Sequence, residues 1–399
     1  MQIVDTRKYK NVSLIFHFDT ANTPRKKAAL HCLSQFLGEN SVKYPDKRSM
    51  TRARDMLYGV ELNSGIKIFS DVLSFQVNGS FLNPRFVKDL SLEDCVNFFE
   101  EVIGNVLFDE KTFEEYRRNV IDSIHRRLDH PSRLALNGTV KTLSQHDERM
   151  EVYDLDILES LGSLTLKDVI DVYEDLLKNA FRHTTLAGDL RNIDTSRFSV
   201  FENAGKDVVL HPKAGTVFPY EEVTKDREAD QSYLLQVYAT PYHYDHPDYY
   251  PFLLGNALFG IVPTSLLFTE VREKKSLCYN ISSFDYKIDG YVLVKADIDA
   301  SKKEETLSEI NRQFERMKEG DFNEEDLMMA KSLFINSVYS IKDDISALSD
   351  FDHLNTLLGR EITIEDYARK ISEVTKEEIA HVYSSYVPVL TYFQKGGSL

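Results

Sequence analysis

The chain lays down one order of elements twice, and that repetition constrains its fold more than any single residue does. In the first half Val12, Leu14, Phe16 and Phe18 alternate with mostly polar neighbours, the period-two pattern of a half-buried strand. A helix is expected over 28–37, and a second alternating strand holds Leu73, Phe75 and Val77. Helices over 92–106, 110–128 and 165–177 follow, and a strand near 183–187 closes the half. The second half runs in parallel. Tyr233, Leu235, Val237 and Ala239 mark a strand, helices follow near 248–259 and 265–274, and Val292, Val294, Ala296 and Ile298 mark the next strand. Long helices over 303–317 and 324–340, a helix over 375–385 and a strand over 389–393 complete it.

Two local matches support duplication. The run from Thr165 to Tyr173 parallels that from Thr375 to Tyr383, each opening on a Thr that can cap a helix whose first turns are acidic. Phe108-Asp109-Glu110-Lys111 parallels Phe322-Asn323-Glu324-Glu325 at a similar offset. Strands separated by runs of helices imply an α+β fold of two homologous domains, each a mostly antiparallel sheet with helices packed on one face. The domains are expected at 1–190 and 226–399. The polar stretch 191–225, with Gly205, Pro212, Gly215 and Pro219, reads as the linker.

A chain of 399 residues with 42% hydrophobic content can bury a core in each half. Its formal charge of −16 argues against nucleic acid as a partner. Cys32, Cys95 and Cys278 are far apart and odd in number, which suits reduced thiols in a cytoplasmic protein better than disulfides or a thiolate metal site. Residues 1–7 show no signal-peptide pattern. The uncharged stretch from 249 to 268 has the length of a membrane span, but Pro251, Gly255, Asn256, Gly260 and Pro263 break it into two pieces. It is expected as buried helix, loop, helix.

The first helix carries His31-Cys32-Leu33-Ser34-Gln35. An inverted zinc-peptidase motif, H-x-x-E-H, sets two His at i and i+4 on one helical face, with a Glu beside them as general base. A further carboxylate from a later helix completes such a site. In the second half, Arg272-Glu273-Lys274-Lys275-Ser276-Leu277-Cys278-Tyr279 spaces an Arg and a Tyr seven residues apart. Read alone, Arg272 suits a helix C-terminus and Tyr279 a strand start.

With the two-half plan, the place of the first helix and the segment from Arg272 to Tyr279, the chain resembles the pitrilysin and mitochondrial processing peptidase family of inverted zincins. The resemblance runs over nearly the whole chain and is nearest to the smaller bacterial members, which work as pairs of chains. On the family motif His31 matches the first His, Ser34 the catalytic Glu and Gln35 the second His. Ser123 falls at the third ligand and Tyr116 at the upstream Glu of the later helix, with Asp122 adjacent and His125 on another face. One His with Ser, Gln and Ser cannot hold zinc tightly or supply the base. The resemblance also implies a substrate-facing role for Arg272 and Tyr279: the Tyr hydroxyl can donate to a developing oxyanion, and the Arg fork can hold peptide carbonyls. The family's Gly-rich loop corresponds to Phe259-Gly260-Ile261-Val262-Pro263-Thr264, which has one Gly and reads as a short rigid turn.

The leading expectation is therefore a non-catalytic, substrate-binding subunit of a heterodimeric zinc endopeptidase. A homologous partner would supply zinc and base, and this chain would bind no cofactor. The substrate would be a small peptide or unfolded segment added as a strand at a sheet edge, with no nucleic acid and no membrane span involved. The competing expectation is a peptidase-derived scaffold or peptide-binding protein without a catalytic role. An independent hydrolase finds no G-x-S-x-G, phosphate loop or Cys/His pair, since Cys32 and His31 point about 100° apart on a helix.

Overall fold

The computed structural model describes residues 1–150, 153–191, 193–202, 205–206 and 208–397. The expected linker and the C-terminal domain thus each include positions outside the described residues. Among the described residues ten strands form two five-stranded sheets. The first sheet holds β1 (Gln2–Asp5), β2 (Asn11–Ala21), β3 (Glu61–Phe69), β4 (Val72–Leu82) and β5 (Phe181–Gly188) in the order β1-β5-β2-β4-β3. The second holds β6 (Glu221–Glu228), β7 (Ser232–Ala239), β8 (Asn280–Tyr286), β9 (Tyr291–Ile298) and β10 (Val387–Gly397) in the order β6-β10-β7-β9-β8. The two orders are the same permutation. In each, the first strand pairs in parallel with the last and every other pair is antiparallel.

The matched helix starts are built alike. Thr165 accepts from Asp168 N and Thr375 from Glu378 N, and in each the acidic side chain returns to the Thr N–H, a reciprocal capping box. Asp109 Oδ1 accepts from Thr112 N at 3.0 Å and Asn323 Oδ1 from Asp326 N at 2.7 Å, opening the helices Glu110–Leu128 and Glu324–Ser340.

The chain forms two compact units that are not contiguous halves. Unit 1 contains 1–125, 154–210 and 344–360; unit 2 contains 126–153, 211–343 and 361–399. The division at a linker, 1–190 against 226–399, thus differs from the packing in two respects. Helix Pro131–Leu143, in the first half of the sequence, belongs to unit 2, and helix Ile345–Leu357, in the second, belongs to unit 1. Part of the expected linker is also core. A short turn of helix at Thr195–Phe201 buries Phe198 and Phe201, the latter ring 5.0 Å from Phe16.

In unit 1, Phe18, Phe75 and Val77 face Leu33, Tyr173 and Leu176 from the helices of the same half. The opposite face of β2 is buried too: His17 and Asp19 are closed off by Ile345–Leu357 through Ser349 and His353. In unit 2 the corresponding second face is apolar, with Tyr233, Leu235, Val237, Tyr291 and Leu293 packed against Ala135 and Leu143. Period-two alternation therefore marks two different buried environments in these strands.

Residues Tyr249–Asn256 form a helix buried on every side, followed by π-helical turns at Ala257–Ile261 and Leu267–Lys274. No helix among the described residues is long and apolar enough to cross a membrane. Gly260 sits where a Cβ would lie 2.8 Å from Ser283 N. It is a close-packing glycine on a tight turn.

Candidate functional site

Helix Pro24–Phe36 begins at Thr23, whose side chain accepts from Lys26 N, with Pro24 in the first helical position. Ala28, Leu30, Cys32, Leu33 and Phe36 are buried, which leaves His31 and Ser34 half-buried and Gln35 exposed on the outer side. Ser34 Oγ lies 2.9 Å from Ser64 Oγ on β3. The position that would carry a catalytic carboxylate is thus tied to an edge strand by two hydroxyls, neither of which is a base at neutral pH.

Helix Glu110–Leu128 packs alongside. Tyr116 is buried, with its ring edge-on to Phe36 at 4.8 Å. Burial pushes the Cys32 thiol up to about 12, opposed by Arg117 on this second helix. Ser123 lies two turns after Tyr116 and is half-buried, while Asp122 and His125 are exposed. The helix pair that could frame a metal is present, but the donor set is one imidazole, one carboxamide and two hydroxyls. Zinc sites use imidazole, thiolate and carboxylate, so these residues do not fit the ion. Among the described residues no group of three or more His, Cys, Asp or Glu could hold a metal.

The second candidate site lies in unit 2. After the π-helical turn Leu267–Lys274 the chain reverses at Ser276, a non-glycine residue at φ +53°. That conformation is costly and is held by its surroundings. Lys302 Nζ donates to Ser276 O at 2.7 Å, Leu277 N to Val271 O at 3.1 Å, and Tyr279 N to Asp297 O at 2.8 Å, which launches β8. Lys275 Nζ donates to buried Glu309 at 2.6 Å. Burial raises the Glu309 carboxyl, but hydrogen bonds from Arg312, Lys275 and Gln313 outweigh it and hold it at about 2. Lys274 is paired with Glu270 at 2.9 Å.

Arg272 differs from these lysines. Its guanidinium lies 4.6 Å from the centre of the Phe268 ring, and among the described residues it has no carboxylate partner. The cation–π contact holds the guanidinium against the ring face. Tyr279 is 56% exposed, and its hydroxyl donates to Asp299 Oδ1 at 3.3 Å. The two side chains flank one rigid turn with different partners.

A polar cluster in unit 1 lies outside the motif reading. His17, His183 and His353 have ring centres within 6 Å of one another, and His17 and His353 stack at 3.9 Å. His353 Nε2 lies 2.8 Å from Asp19 Oδ2, and His183 Nε2 lies 3.3 Å from Asp352. The signal available in the sequence is that His17 and Asp19 share the face of β2 opposite Phe16 and Phe18.

A family model described as the Peptidase M16 inactive domain matches residues 163–334. A Bacillus subtilis (strain 168) protein described as "Probable inactive metalloprotease YmfF" is 25% identical over 418 residues, covering 99% of this chain and 95% of that protein. The chain is thus similar to M16 peptidase-type proteins over residues 163–334. Another relative, described as "Uncharacterized zinc protease YmxG" from the same organism, is 23% identical over 185 residues, 46% of this chain and 44% of that one. The crystal structure of a conserved protein from Enterococcus faecalis V583 shares the fold at TM-score 0.91 and 22% identity, over 100% of this chain and 96% of that chain. The chain thus shares its two-sheet fold with this solved structure, while its first helix carries Ser34 and Gln35.

Proposed function

We propose that the chain is the non-catalytic, substrate-binding subunit of a two-chain zinc endopeptidase acting on small peptides or unfolded segments. The observation that carries this reading is Arg272: a half-buried guanidinium over the Phe268 ring and without a carboxylate partner among the described residues, seven residues before an exposed Tyr279. A cation held against an aromatic ring on a braced turn suits the carbonyls of an extended peptide. Tyr279 would donate to a carbonyl oxygen as charge develops there. A homologous chain with intact H-x-x-E-H would supply the metal and base, as its own donor set requires. The peptide would add as a strand at a sheet edge, and the pair would work in the cytoplasm.

The test is peptide cleavage with zinc analysis on this chain, on a homologue with the intact motif, and on the mixture. Activity confined to the mixture, zinc confined to the homologue, and at least tenfold loss with Arg272→Ala or Tyr279→Phe are expected. Zinc-dependent cleavage by this chain alone would refute the proposal. Failure to associate with or affect the homologue would leave a scaffold or peptide-binding role.

A further inference from the structure

The face of the first sheet that carries His17 and Asp19 is polar across four strands. Gln76, His17 and His183 form one row over β4, β2 and β5, and Lys67, Ser74 and Asp19 form the next over β3, β4 and β2. Helix Ile345–Leu357 lies on this face, and of its four buried residues, Ser349, His353, Asn355 and Leu357, one is apolar. Ser349 Oγ lies 3.2 Å from His17 Nε2 and 2.8 Å from Thr185 Oγ1. Asp350 accepts from Gln76 Nε2 at 3.0 Å and is paired with Lys67. Asp352 lies 3.3 Å from His183 Nε2, and His353 Nε2 lies 2.8 Å from Asp19 Oδ2. Polar groups thus hold this helix on its sheet, whereas apolar packing holds helix Pro131–Leu143 on the other.

Two properties make this contact easy to open. His17 Nδ1, Asp19 Oδ1 and His353 Nδ1 are enclosed in it and have no partner among the described residues. Opening lets them bond to water, which offsets part of its free energy. In the chain the helix is also flanked on both sides by segments of unit 2, so it can leave the sheet without drawing a strand of unit 1 with it. Its last turn is the firmer end. Leu357 is completely buried, and its carbonyl accepts from Leu210 N at 2.6 Å.

Acid acts on this contact through His17. The charged and titratable groups around it are Asp19 on its own strand, Lys67 on β3, His183 on β5, and Asp350, Asp352 and His353 on the helix. Each carboxylate already faces another group: Asp350 faces Lys67, Asp352 faces His183, and Asp19 faces His353. A proton on His17 would sit in the interior beside two imidazoles and a lysine, so the folded chain keeps the ring neutral. In water the ring titrates at the ordinary 6.5. An opening that wets it therefore takes up a proton below that pH and becomes about tenfold more populated per pH unit. We propose that helix Ile345–Leu357 is an acid-released strap, which lifts from the sheet at Ser349 and His353 as the pH falls below neutral while the rest of unit 1 stays folded. The strap belongs to unit 1 alone and does not rest on the divided active site.

The test is amide hydrogen exchange of the full chain, read by mass spectrometry from about pH 8 to about pH 5 with the intrinsic pH dependence of exchange removed. Opening of residues 345–357 should be constant above about pH 7 and rise about tenfold per unit below about pH 6. Helix Leu166–Asn179 of the same unit should keep its protection over that range. In His17→Gln, whose side chain does not titrate, the rise at 345–357 should shrink to less than about twofold. Exchange at 345–357 that does not respond to pH overturns the proposal. Equal acceleration of the two helices also overturns it, since unit 1 then opens as a whole, and so does a rise that persists in His17→Gln. If that variant does not fold, the wild-type profile decides, because a break far from about pH 6.5 assigns the opening to another group.

Discussion

Mild acid should destabilise unit 1 through a single side chain, His17. It is completely buried on β2, its Nε2 lies 3.2 Å from Ser349 Oγ, and its ring is stacked on His353. Burial, then the neighbouring His353, His183 and Lys67, hold its pKa far below the ordinary 6.5. The nearest carboxylate, Asp350 at 3.8 Å, is itself paired with Lys67. The folded chain thus keeps His17 neutral, whereas the unfolded chain takes up a proton as pH falls through 6.5. The unfolded state then binds more protons, so the stability present above 6.5 is lost progressively below it. One pH unit below 6.5 the loss is about 1.4 kcal/mol, and one unit above it only about 0.1 kcal/mol. In that window ordinary carboxylates are ionised in both states and contribute little. Urea unfolding of wild type and His17→Gln at about pH 7.5 and about pH 5.5 isolates the effect. The Gln side chain still reaches Ser349 but does not titrate, so its stability should change by about 1.3 kcal/mol less between the two conditions. Equal pH dependence in the two proteins would refute the reasoning.

Two further substitutions test the packing around each candidate site. A Cβ at Gly79 on β4 would lie 2.4 Å from Phe99 Cε1, within a cluster that includes Phe81 and Phe98. Gly79→Ala should therefore lower unfolding free energy by about 1–3 kcal/mol, read from the denaturation midpoint. Glu309→Gln replaces the acceptor that holds Lys275, Arg312 and Gln313. It should cost about 1–3 kcal/mol near neutral pH and speed amide exchange at Ser276 and Leu277. The wild-type advantage should vanish as pH falls from 4.5 towards about 2, because the folded carboxylate holds its charge over that range.

The central strands and most of the long helices were legible because their signals are local. Alternation marked β2, β4, β7 and β9, strands were also expected at the places of β5 and β10, and capping residues placed the starts of helices Leu166–Asn179 and Lys376–Ser384. The edge strands β1, β3, β6 and β8 escaped. They are short or largely exposed, as in the pattern of β6, and their pairing is supplied by a neighbour distant in sequence. Helices Pro131–Leu143 and Ile345–Leu357 escaped as well, since polar residues such as Asn137 and His353 interrupt the apolar stripe that would announce them. Of the candidate site, the residue types at His31, Ser34, Gln35 and Ser123 were readable directly. That Ser34 is bonded to Ser64, and that Lys274 and Lys275 are paired while Arg272 lies over the Phe268 ring, depended on side chains from other elements.

By itself the sequence determined the duplicated α+β plan, through hydrophobic period and helix caps, and the residue types that stand at His31, Ser34, Gln35 and Ser123. Only the tertiary structure decided which helix covers which sheet. Helix Ile345–Leu357 packs against His17 and Asp19 because Ser349 and His353 supply the partners those buried polar groups need. Helix Pro131–Leu143 packs against Leu235 and Leu293 because that face of its sheet is apolar. Complementarity between surfaces far apart in sequence carries no local periodic signal, so it emerges only when the strands and helices are brought together.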